Sequence, residues 1–312
     1  MTIESLHPIR AVAGRTGLTS HVIRAWEKRY GAVEPVRTAT NRRLYTESDI
    51  ERLKLLKRAI DGGRGIGHVA TLPDDELQRL VAADGPLPAA GQAAGPGAAP
   101  PERLVAGCLE AIHLLDPKSL EECLLRASIG MPTLRFLEDV VMPLMDQVGE
   151  RWHEGKLRPA HEHLATATVR SVLGNLISPG PVDPGAPELV VATPAGQWHE
   201  LGALAGAVAA AAAGWRVTYL GANLPAEDIA AAARERKARA VAISLVYPES
   251  DAHLHAEIAR LHRLLPEGTT LVAGGRAASS YAPALTRMGA VQVTSLADLS
   301  QALAAVRSAR PV

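Results

Sequence analysis

One imidazole stands out by its setting. His199 lies in the stretch Gly196-Gln197-Trp198-His199-Glu200-Leu201-Gly202, directly after an apolar, β-branched run. A histidine in such a polar turn can ligate a metal through one ring nitrogen while an acceptor holds the other. Taken alone, it reads more readily as a histidine capping a helix N-terminus. A second group holds Trp152-His153-Glu154 and His161-Glu162-His163. His161 and His163 are two apart and do not share a helical face, so a zinc pair is not expected there. Cys108 and Cys123 fit neither a disulfide framework nor a CxxC metal site. A third group is cationic: Arg24, Lys28, Arg37, Arg42 and Arg43. No nucleophile stands with an evident base, so the chain does not read as an enzyme.

The elements that must position these residues follow from the hydrophobic pattern. Residues 189–194 form a short run bounded by prolines, the pattern of a buried parallel strand, and 202–214 are almost all Ala, Leu and Val, a buried helix. Further strand-like runs at 216–219, 240–245, 270–273 and 290–293 alternate with helical patterns at 225–236, 251–265, 281–288 and 296–306. Alternation of this kind predicts a doubly wound, flavodoxin-like parallel sheet over 188–312, in which ligands bind at the carboxyl ends of the strands. The turn holding His199 is such an end, and so is Gly274-Gly275, where absent side chains let a ligand approach the backbone.

Upstream, residues 102–180 read as a four-helix bundle. Its apolar positions break at Asp116-Pro117 and at Gly130, and helices are expected over 133–153 and 159–177. Residues 84–101 are nearly all Gly, Ala and Pro, a flexible tether, with a further spacer at 179–187. The head, 1–83, shows a short helix ended by Gly17, a second over 20–30 capped by Thr19 or Ser20, and a third over 47–62 capped through Thr46-x-x-Asp49. Helix, tight turn, helix is the layout that places its second helix in a DNA major groove.

Charge supports that use of the head. The chain is formally neutral, but residues 1–70 hold thirteen Lys/Arg against seven Asp/Glu, a net of +6, which leaves −6 for the remainder. A basic head on an acidic body points to nucleic acid. One small head reads few base pairs, so a homodimer or homotetramer on a repeated double-stranded operator site is expected. Residues 1–10 lack the apolar core of a signal peptide, and 201–213 are too short to span a bilayer. A cytoplasmic protein with no membrane partner is expected.

Three resemblances add to this reading. His199-x-x-Gly202, Ser244-x-Val246 and Gly274-Gly275 resemble, in order, the DxHxxG…SxV/L…GG pattern of cobalamin-binding domains. The resemblance implies that His199 sits below the cobalt and that Ser244 and the glycine pair accept the displaced nucleotide tail. Gln197 stands where that family has an acid; the amide is expected to orient the imidazole with less anionic character, and Trp198 beside it is non-standard. The head resembles MerR-type winged-helix regulators through 24–31 (Arg-Ala-Trp-Glu-Lys-Arg-Tyr-Gly), Pro35, Arg37-Thr38 and Arg42-Arg43-Leu44-Tyr45, with Thr40-Asn41 in place of the usual Gly-Gly. It implies that Arg24 and Lys28 face the groove and that Arg37, Arg42, Arg43 and Tyr45 hold phosphates, while Trp26 and Tyr30 belong to the core.

Trp152 followed by Glu162-His163 resembles the W-x9-E-H motif of CarH/LitR-type light-sensing repressors. That resemblance implies adenosylcobalamin as cofactor, Trp152 on its adenosyl group, Glu162 and His163 near it, and His153 as the upper cobalt ligand once the adenosyl group leaves. The implied function is a light-released transcription repressor. Two alternatives stay open: a regulator that senses cobalamin or redox state without light, and a corrinoid carrier for a methyltransferase, against which the basic head argues.

Overall fold

The computed structural model describes residues 6–18, 20–38, 42–61, 64, 66–83, 100–177, 183, 185–248 and 251–309. The chain divides into two units, Met1–Pro181 and Val182–Val312. All but the end of the expected tether at 84–101, part of the 179–187 spacer, Thr19 and the Thr40-Asn41 wing tip lie outside the described residues.

The first unit opens with β1 (His7–Pro8), α1 (Ile9–Thr16) and α2 (Ser20–Tyr30). Gly17 ends α1 as expected: at φ 69° its N–H returns to the Ala13 carbonyl at 3.0 Å. β2 (Val36–Arg37) and β3 (Arg43–Tyr45) form the antiparallel wing, with β1 on the other edge of β3. α3 (Glu47–Asp61) begins on the expected cap. Asp49 N–H donates to Thr46 Oγ1 at 3.1 Å and Thr46 N–H donates to Asp49 Oδ2 at 2.8 Å, a reciprocal box. α4 (Ile66–Val69) and α5 (Asp74–Ala83), which the sequence pattern does not separate, close the head. Trp26, Ile23, Ile50, Leu53 and Leu56 are buried in its core, and Tyr30 packs against it.

In the bundle, α6 (Pro101–His113) packs on α7 (Pro117–Gly130), and α10 (Pro159–Leu176) packs on α7 and on α9. The single helix expected over 133–153 is corrected. It is α8 (Thr133–Phe136), a π-helical turn (Leu137–Val141), then α9 (Met142–His153). Pro143 has no N–H to return to residue 139, and its ring would press on that carbonyl; one wider turn before it removes the conflict. Asp116 caps α7 by accepting from the N–H groups of Lys118 and Ser119, each at 3.1 Å. Near the end of α7, Ile129 is buried in the core cluster of the head rather than in that of the bundle.

The second unit runs β4 (Glu188–Pro194), α11 (Leu201–Ala212), β5 (Arg216–Leu224), α12 (Ala226–Glu235), β6 (Ala240–Ser244) and α13 (Ala252–Leu264). β7 (Thr270–Gly274), a 3-10 turn (Ala278–Tyr281), α14 (Ala282–Arg287), β8 (Val291–Gln292) and α15 (Leu296–Ser308) complete it. All pairings are parallel and the strand order is β5-β4-β6-β7-β8. This is the flavodoxin-like doubly wound sheet, and the order reverses between β4 and β6, where such sheets open a crevice. β5 continues past residue 219 because Gly221 (φ 91°) and Asn223 (φ 60°) carry it through register shifts against β4. Among the described residues no helix is long and apolar enough to cross a membrane.

Candidate functional site

At the carboxyl end of the sheet, Gln197 decides the geometry. It is 1% exposed and both ends of its amide are hydrogen-bonded. Oε1 accepts the N–H of Val246 at 2.8 Å and of Tyr247 at 3.2 Å, while Nε2 donates to the Tyr247 carbonyl at 2.5 Å. Its backbone carbonyl accepts from Thr193 Oγ1 and, at 3.1 Å, from Asn223 N–H. One residue thus ties the ends of β4, β5 and β6 across the switch point. The expectation that Gln197 orients the imidazole is corrected: its bonds all run to the neighbouring strand ends. The task needs a donor and an acceptor on one planar group, and a carboxylate would accept both N–H groups but could not donate to Tyr247.

His199 is exposed and makes no hydrogen bond or ion pair among the described residues. The carboxylate beside it is engaged, since Tyr219 Oη donates to Glu200 Oε2 at 2.6 Å. Trp198 is 71% exposed. The other motif residues come to the same sheet edge. Ser244 closes β6, and a Cβ on Gly202 would stand 3.2 Å from its Oγ, so this glycine keeps open the approach to that hydroxyl. Gly275, at φ 98°, presses on Leu245; a Cβ there would overlap its backbone, with the nitrogen 2.8 Å away. A Cβ on Gly274 would meet Val293 Cγ2 at 2.9 Å. Both glycines therefore also have a chain-packing reason.

The donor set restricts the metal. Among the described residues no group of three or more His, Cys, Asp or Glu could hold an ion. A lone exposed imidazole does not build a four- or six-coordinate site for a bare cation. It suits a metal that brings its own equatorial ligands and lacks an axial one, which is the case for a corrinoid. The residues present fit that group.

In the bundle, Trp152 is 44% exposed and so is not a core anchor. Its ring lies 4.9 Å from that of His153, tilted by 47°. Glu162 Oε2 stands 2.6 Å from His163 Nδ1, and Thr166 donates to Glu162 Oε1 at 2.7 Å, which leaves the Nε2 edge of an exposed ring available. His161 accepts the Arg158 N–H on Nδ1 at 3.1 Å and serves the start of α10.

On the head, Arg24 and Lys28 are exposed one turn apart on α2 and share a face, and Arg42 is exposed at the wing. Glu27, an acid that the sequence reading passed over, organises the rest. Arg43 Nε donates to Glu27 Oε2 at 2.6 Å, and Arg37 Nη2 lies 3.5 Å from Glu27 Oε1. Tyr45 is corrected as a phosphate contact. It is fully buried, and its hydroxyl stands 3.5 Å from Glu27 Oε2. Burial, then the negative charge of Glu27, push its phenol up to about 12, so it keeps its proton.

Comparison with known proteins agrees with this geometry. Residues 8–75 match the MerR HTH family regulatory protein family, and 104–177 and 187–304 each match a B12 binding domain family. Fold and site define a MerR-type regulator that carries B12-binding domains. The chain is 33% identical over 286 residues to the HTH-type transcriptional repressor CarH of Myxococcus xanthus, covering 91% of this chain and 94% of that protein. It is 28% identical over 311 residues to the HTH-type transcriptional repressor CarA of the same organism, covering 97% and 98%. The chain belongs to this family of HTH-type transcriptional repressors. Among solved structures, the monomethylamine corrinoid protein of Methanosarcina barkeri shares the fold at a TM-score of 0.51 and 17% identity, over 66% of this chain and 99% of that one.

Proposed function

We propose that the protein is an adenosylcobalamin-dependent repressor that light releases from its operator. The observation that carries this is His199: an exposed imidazole without a partner among the described residues, at the edge where Gly202, Ser244 and Gly274-Gly275 converge. Bound adenosylcobalamin supplies a cobalt–carbon bond that visible light can break. His199 would ligate the cobalt through a ring nitrogen. Ser244 and the glycine pair hold the nucleotide tail. We assign Trp152, Glu162 and His163 to the binding of the adenosyl group, with His153 as a second imidazole that would be able to ligate cobalt. Arg24 and Lys28 read the groove, and Arg37, Arg42 and Arg43 hold phosphates. Several heads on one assembly, dimer or tetramer, supply affinity by avidity, so loss of assembly in light releases DNA.

The test is size-exclusion chromatography with full visible spectra on protein loaded with adenosylcobalamin in darkness, before and after green light. A spectral change with a fall in mass and loss of operator binding is expected. Identical mass and DNA affinity in both states would overturn light as the trigger. Gln197 motivates a second reading, in which cobalamin itself is the signal: with Gln197 and Glu200 both engaged elsewhere, His199 has no anionic partner to strengthen its bond to cobalt. DNA release that tracks cobalamin concentration equally in dark and light would support that reading.

A further inference from the structure

Cys108 and Cys123 lie fifteen residues apart in sequence, on α6 and α7. The packing of the two helices brings them together. Cys123 Sγ stands 3.5 Å from the Leu104 carbonyl oxygen, and a Cβ built on Gly107 would lie 3.5 Å from the same sulfur. Leu104 and Gly107 belong to the turn of α6 that ends at Cys108, so the missing side chain of Gly107 makes room for Cys123 against the turn that carries the Cys108 thiol. The two differ in access. Cys108 is buried and Cys123 is half-buried, with the exposed Arg126 one turn further along α7.

We propose that Cys108 and Cys123 form an oxidation site, a dithiol that a peroxide converts to an intramolecular disulfide linking α6 to α7. The roles follow from access and charge. The neighbouring Cys108 thiol and, to a smaller extent, the positive charge of Arg126 draw the Cys123 thiol below its usual range, whereas the Cys123 thiol and burial push Cys108 up. Cys123 as thiolate attacks one peroxide oxygen. The O–O bond breaks, a sulfenic acid forms and the departing hydroxide takes a proton to become water. Cys108 then attacks the sulfenic sulfur. The S–S bond forms, the S–O bond breaks, and the Cys108 proton leaves with the hydroxide as a second water. Two thiols are oxidised by two electrons and hydrogen peroxide is reduced to two waters.

The test treats the full-length protein with hydrogen peroxide, quenches with iodoacetamide in denaturant and maps tryptic peptides by mass spectrometry. Loss of both alkylatable thiols, a peptide joining 104–118 to 119–126, and recovery of both thiols with dithiothreitol are expected. Cys108→Ala is expected to accumulate a sulfenic acid on Cys123 that dimedone traps. Cys123→Ser is expected to leave Cys108 alkylatable at doses that oxidise the natural pair. The proposal is overturned if both thiols stay alkylatable, if Cys123 becomes a sulfinic acid while Cys108 stays free, or if a non-reducing gel shows the link between two chains. Oxidation of Cys108 in Cys123→Ser at the natural rate would overturn the assigned roles.

Discussion

Glu27 Oε2 accepts the Nε–H of Arg43 at 2.6 Å, which ties the wing of the head to α2. In the β2–β3 register Arg37 stands directly opposite Arg43, an arrangement that like charges oppose. Glu27, reaching from α2 and only 13% exposed, lies against both and offsets their repulsion. Removing it with Glu27→Ala is expected to cost the head about 1 kcal/mol. Without Glu27, Arg37 and Arg43 would give phosphates the charge they now share with it, so the dependence of DNA affinity on salt should steepen by about one in log–log slope. Binding isotherms at several salt concentrations measure this, and an unchanged slope would show that phosphates already displace Glu27 in the natural protein.

The buried hydroxyl of Tyr45 gives a companion expectation. Tyr45→Phe removes only a 3.5 Å contact with Glu27, so operator affinity should change by less than about 0.5 kcal/mol. A loss of about tenfold, about 1.4 kcal/mol, would restore Tyr45 as a phosphate ligand.

Gln197 is expected to matter for stability before it matters for cobalamin. Gln197→Ala leaves the N–H groups of Val246 and Tyr247 and the Tyr247 carbonyl without their partner, at a cost of about 1–3 kcal/mol. Gln197→Glu loses the one donor and sets a carboxylate against a carbonyl, so it too should lower the Tm of the cobalamin-free protein. If either variant melts like the natural protein but shows an altered cobalamin spectrum, Gln197 acts on His199 after all.

Acid should loosen the head through Glu47. The Arg15 guanidinium, hydrogen-bonded to it, and then His7 hold its carboxylate down to about 2 against an ordinary value of 4.5. A carboxylate depressed by folding contributes stability above its unfolded value and loses it as pH falls through the folded one. The contribution is therefore complete above about pH 4.5 and gone near pH 2. Denaturant titrations across that window should show stability falling in the natural head, with a shallower fall in Glu47→Gln. Parallel slopes would remove Glu47 from the account.

Ile129 joins two parts of the first unit. Ile129→Ala empties a site in the core cluster of the head from a helix of the bundle, at a cost of about 2–5 kcal/mol. The fluorescence of Trp26, buried in that same cluster, should report the loss in the same transition as the bundle. A Trp26 transition indifferent to the variant would show that the head core closes without α7.

Much of this was legible along the chain because it is written locally. Apolar period, caps such as Thr46-x-x-Asp49, a stop at Gly17 and βα alternation depend on neighbours a few residues apart, and the elements they imply were found with small shifts of boundary. The three ordered motifs after β4, β6 and β7 were legible too, because a parallel sheet must bring all its strand ends to one edge. Tertiary structure decided the partners. Gln197 turned from His199 to the loop after β6, fifty residues on; Glu27 took Arg37 and Arg43; Tyr45 went inside; Cys123 settled against α6 in the space left by Gly107. A side chain's chemistry is fixed by its type, but the group it meets depends on which helix or strand end is packed against it, and that is settled only when the whole core closes.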